Sequence, residues 1–177
     1  MGGQAVDAVA MIEGWHEFYV LVGTSAAALT GLMFVVISIS PETIAERPTA
    51  GVRAFVTPTM VFFTTALAIS ALMLVPHLAP AALAALLALA SVAGIAYLLW
   101  VRGHHHWRAG KLDAEDWVFF IGLPFLSYIL LLVAAIATWR GSALGAPMLA
   151  FVTVLLLVVA IHNAWDLVIW LSQQRRK

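Results

Sequence analysis

The chain contains no cysteine in 177 residues and only 10% charged residues, where a soluble domain ordinarily carries about 25%. Without cysteine, disulfides, thiolate metal sites, CxxC redox motifs and covalent c-type haem attachment are all excluded. Neither sign of charge is in excess, since nine Lys+Arg face nine Asp+Glu. No overall basic field draws nucleic acid, and no acidic tail solvates the chain. The catalytic signatures HExxH, GxSxG, GxxxxGKS/T and GxGxxG are also missing, so no enzyme is expected. The stretch before the first apolar run holds no Lys or Arg, and that run exceeds a signal-peptide core; it is read as a retained span. The opening MGG fails as a myristoylation signal because position 6 is Val.

What the sequence has in abundance is apolar residue, 63% of the chain, at a mean hydropathy of +1.00. Five segments have the roughly 20-residue length that crosses a bilayer: 18–40, 54–75, 80–101, 117–139 and 147–171. Proline marks their ends. Pro41 follows the first, Pro76 closes the second, Pro80 opens the third, and Pro147 sits in the first turn of the fifth, where its missing N–H costs nothing. The expected fold is therefore all-α, a single membrane domain of five transmembrane helices.

Lys and Arg are retained in cytoplasmic loops. One alternating set of loops holds Arg47, Arg53, Arg102, Arg108, Lys111, Arg175, Arg176 and Lys177, whereas the other holds only Arg140. This asymmetry predicts an outer N-terminus and a cytoplasmic C-terminus. Trp15, Phe18, Tyr19, Trp100, Trp117, Trp139 and Trp170 fall near span ends, as interfacial anchors do. The apolar spacing of Val6, Val9, Ile12 and Trp15 suits either a short helix on the outer leaflet or a frayed tail. The size and the Ala/Leu-rich, Lys-poor composition resemble small multi-pass proteins of bacterial inner membranes. No internal repeat is visible, and five spans do not divide into inverted halves.

The last span breaks the rule that charge stays out of apolar stretches, reading IHNAWDLVIW at 161–170. At 100° per residue His162 and Asp166 share one helix face, with Asn163 beside them. Asp166 lies five residues before Leu171, within roughly 8 Å of the cytoplasmic end at 1.5 Å rise per residue. Intramembrane ionisable groups are costly and face a partner or a wet cavity. Two readings follow: a structural lock with an arginine of a neighbouring helix, or a proton or cation relay using an imidazole near neutrality. Arg53 and Arg102 are the candidate counter-ions. Thr57 and Ser38, with Ser40, Thr59 and Tyr97, are the polar neighbours expected at that level, able to satisfy His162 and Asn163.

Gly23, Ala27 and Gly31 place small residues at every fourth position of the first span, a device for close helix approach within the bundle or between copies. Hydroxyls in spans two and four are expected to bond back to their own helices. Pro124, near Gly122, predicts a kink that opens space opposite His162. The alanine-rich stretch AALAALLALASVAGIA of span three reads as a lipid-facing or close-packing helix. His104, His105 and His106 are consecutive and read as a solvated loop, so no metal site is expected. His16 and His77 sit at the outer ends of adjacent spans, an arrangement that suits haem or quinone chemistry if either is present. No cofactor is expected otherwise. The partners are the lipid bilayer and a second copy or another membrane protein. Function divides into passage or relay of a small ion or solute, a non-transporting scaffold or accessory subunit, and a redox protein.

Overall fold

The computed structural model describes residues 14–39, 51–104 and 118–174. They form five long helices: α1 His16–Ile39, α2 Gly51–Met73, α3 Pro80–His104, α4 Leu123–Trp139 and α5 Gly145–Gln174. A π-helical turn, Val118–Gly122, runs directly into α4. All five are long and apolar enough to cross a membrane, with α4 reaching that length together with its π-turn. Each, with α4 counted together with its π-turn, overlaps one of the five predicted spans and differs from it by no more than a turn at either end. Helices are the expected solution for such sequences because every backbone polar group is satisfied inside the segment.

Two of the connections are short. Residues 74–79 join α2 to α3, with His77 in the left-handed region at φ +57°, a conformation in which histidine is enriched among non-glycine residues. The α4–α5 turn is closed by Gly141 at φ +66°, which donates to Thr138 O at 3.0 Å, while Ser142 N donates to Ala137 O at 2.9 Å. This pair of bonds is a Schellman cap, and glycine fits because it lacks a Cβ at positive φ.

α2 and α5 are the central pair. α1 packs along α2, α5 packs on α2 and on α4, and α3 packs along α4, while α1 touches α5 only lightly. The shared core includes Phe62, Phe63, Leu87, Leu131, Leu156 and Val159. In a bilayer, where lipid is as apolar as these side chains, association of such helices relies on dispersion contacts and interhelical hydrogen bonds rather than on water exclusion.

The closest packing centres on Tyr128. Gly94 of α3 lies against its ring, where a Cβ would collide with Cδ1, Cε1 and Cζ. Ser91 Oγ donates to the Tyr128 carbonyl at 2.7 Å, and the Tyr128 hydroxyl meets Thr65 Oγ1 of α2 at 3.0 Å. The alanine-rich third span is thus a close-packing helix along this seam.

Hydroxyls in spans two and four bond back to their own helices as expected, among them Ser70 to Ala66 O at 2.9 Å and Ser127 to Leu123 O at 2.8 Å, and Thr30 to Ala26 O at 2.8 Å and Thr153 to Leu149 O at 2.6 Å do the same on α1 and α5. Trp100 and Trp139 are exposed near helix ends. Tyr19 departs from the anchor reading. It is only 1% exposed, packed edge-on against Phe18, because its position on α1 turns it toward the core.

Candidate functional site

α5 presents three faces over one stretch. Asn163 and Leu167 are fully buried, His162 and Asp166 are half-buried, and Ile161, Trp165, Val168 and Ile169 are exposed. The 100° advance per residue accounts for this division. His162 Nε2 stands 3.4 Å from Asp166 Oδ2, with the two side chains 30% and 33% exposed. The separation exceeds an ordinary N–H to oxygen hydrogen bond, so the contact is electrostatic when the imidazole carries a proton. It joins successive turns of a single helix.

Phe119 ties His162 to another helix. Its ring stacks on the His162 imidazole with centroids 3.8 Å apart and planes at 24°. Phe119 lies in the π-turn, and the sequence gives a reason for that turn. In a continuous α-helix the Pro124 ring clashes with the carbonyl of Phe120, four residues back, and offers it no N–H. The widened turn ends at Gly122, immediately before α4, with Pro124 in the first turn of that helix. The irregularity lies where a kink was expected, but its consequence differs. An aromatic ring fills the region opposite His162. Phe119 was not foreseen, because periodicity treats it as one apolar residue among many.

Asn163 is 0% exposed, and neither its Oδ1 nor its Nδ2 has a hydrogen-bond partner among the described residues. Such an amide costs about 1–3 kcal/mol when left unpaired. It is sealed by this chain alone, so a second copy docking on the outside does not reach it. The expectation that Ser38 or Thr57 satisfies it fails. Ser38 is exposed and donates to Phe34 O at 2.8 Å within its own helix, and Thr57 is exposed as well. Thr59, on the same helix as Thr57, is fully buried. The side chains of Arg53 and Arg102 lie outside the described residues, as do Ser40, His105 and His106. Two further buried hydroxyls, on Tyr19 and Tyr97, have no hydrogen-bond partner among the described residues.

The small-residue stripe on α1 divides. Gly23 is buried, and a methyl group in place of its hydrogen would sit 3.0 Å from Ser70 Cβ, whereas Ala27 and Gly31 are exposed and a methyl group on Gly31 would meet nothing within 4 Å. Of the three, Gly23 therefore serves packing within the chain. Between α1 and α5, over Phe63 of α2, runs an apolar groove of about 210 Å³ that includes Leu29, Met33, Ala164 and Trp165. His16 and His77 are both exposed. No group of three or more His, Cys, Asp or Glu is placed to hold a metal among the described residues.

No family model, curated protein or solved structure matches the chain. Any functional reading rests on the α5 residues themselves.

Proposed function

We propose that the chain is a multi-pass protein of a bacterial inner membrane, N-terminus outside and C-terminus in the cytoplasm, that relays protons or passes a small cation at His162, Asn163 and Asp166. The observation carrying this reading is the half-exposed His162–Asp166 pair, 3.4 Å apart, within the last apolar helix. Ionisable groups at such positions are retained against their insertion cost when they meet ions, protons or partners. An imidazole next to a carboxylate can accept a proton and hand it on. The buried Asn163 amide extends polarity from that pair toward the α2–α5 seam.

Purified protein reconstituted in vesicles with an entrapped pH indicator tests the reading. Wild-type protein is expected to dissipate an imposed proton or cation gradient, and His162→Gln and Asp166→Asn are expected to reduce the rate to that of protein-free vesicles while remaining folded. Wild-type flux no greater than that of empty vesicles refutes it.

The second reading is an oligomeric scaffold or accessory subunit. It is favoured by the outward-facing Ala27 and Gly31 and by the apolar groove beside α5. In this case Asp166 contributes to holding helices together, so Asp166→Asn lowers stability, by less than the loss of a buried pair because the side chain is 33% exposed. Co-purification of a stoichiometric membrane partner, with no flux, supports it over the first reading.

A further inference from the structure

We propose that Phe119 is a movable cover over the His162 imidazole, and that the Val118–Gly122 π-turn sets whether the cover is closed. The inference rests on the relay reading of the same site and adds its regulation. Three observations meet here: the stacked rings at 3.8 Å, the side-chain exposure of only 30% at His162, and a π-turn at the residue that makes the stack.

A π-turn accommodates one residue more than the α-helical turn it replaces, and such turns occur frequently at functional sites. Releasing that residue moves the preceding chain by one position relative to α4, which is about 100° of rotation and 1.5 Å of rise. Phe119 stacks on His162 in one register and is carried off the imidazole face in the other. Pro124 biases the choice. Its ring opposes a continuous α-register by clashing with the Phe120 carbonyl and withholding an N–H. The closed state is therefore the one that proline favours. In the open state the imidazole face, one turn from the Asp166 carboxylate, becomes accessible to water and to a transferable proton or cation. Phe119 acts through His162 by covering and orienting it and exchanges no proton itself.

The test uses full-length protein in micelles and vesicles, with histidine-selective isotope labelling and His162→Gln to assign the resonance. Stacking displaces the His162 ring protons upfield. Phe119→Ala removes the ring, and Pro124→Ala restores the N–H and relieves the clash. Both are expected to abolish the displacement and to accelerate diethylpyrocarbonate modification of His162 several-fold. Phe119→Trp is expected to retain the displacement and the slow modification. Equal modification rates in wild type and all three variants, or a displacement that survives Phe119→Ala, overturn the cover. If Phe119→Ala alone alters both readouts and Pro124→Ala neither, the register mechanism is overturned. Flux separates the two levels of inference. Accessibility that changes as stated with no flux in any protein upholds the cover and removes the relay, whereas His162-dependent flux with unchanged accessibility removes the cover alone.

Discussion

Two polar clusters interrupt the apolar interior, and they are built on opposite principles. Tyr128's own polar groups are paired. The phenol meets Thr65, Ser91 donates to the Tyr128 carbonyl, and Gly94 admits the ring against the α3 backbone. Around His162 the ionisable pair is half-exposed, the adjacent Asn163 amide has no hydrogen-bond partner among the described residues, and the contact to α4 is a stacked ring on an irregular turn. A satisfied cluster rigidifies the bundle; one left open and costly calls for a functional explanation. The difference separates polar residues that hold α2, α3 and α4 together from those for which the relay is proposed.

The sharpest way to break this comparison is at Gly94. Gly94→Val places a branched side chain into the Tyr128 ring, and overpacking of this kind costs about 1–3 kcal/mol. Reversible unfolding in mixed micelles should register a loss in or above that range, and wild-type stability would show that the seam is loose. Asn163→Leu should do the reverse. Replacing an unpaired buried amide by an apolar side chain of similar size removes a penalty of about 1–3 kcal/mol, so stability should hold or rise while flux falls. Destabilisation would mean that Asn163 has a polar partner inside the bundle, and the contrast between clusters would then disappear.

A smaller effect is expected at Tyr128→Phe, which deletes the bond to Thr65 and keeps the ring. Interhelical hydrogen bonds in membrane proteins average about 0.6 kcal/mol, and a loss near that value is expected in the same unfolding assay. The smallest effect belongs to α1. Gly31→Ala meets open space and should leave the stability of the isolated chain unchanged, whereas the larger Gly31→Leu should weaken self-association if Ala27 and Gly31 face another copy. Cross-linking in vesicles reads the second outcome, and unchanged cross-linking with Gly31→Leu assigns that face to lipid.

Helix number and extent were legible because they follow from length, hydropathy and proline placement. The same logic singled out His162, Asn163 and Asp166 as candidates, since a polar or ionisable residue in an apolar run is conspicuous whatever surrounds it. It failed at the neighbours. Ser38 lies near the right level, yet its hydroxyl is bonded to Phe34 O of its own helix, an option open to any serine in a helix and one that spacing does not rank. The Gly23, Ala27 and Gly31 stripe looked uniform, but helix pairing put Gly23 against Ser70 and left Gly31 facing outward.

By itself the sequence determined five apolar helices and the face shared by His162 and Asp166, because both depend on local periodicity and on the cost of polar groups in hydrocarbon. Tertiary structure alone decided that α2 and α5 form the central pair, that Tyr19 is buried, that Gly94 receives the Tyr128 ring and that Phe119 covers His162. Those outcomes depend on the relative rotation of helices. In an apolar medium many rotations offer nearly equal dispersion energy, and a few specific contacts between residues far apart in the chain select among them.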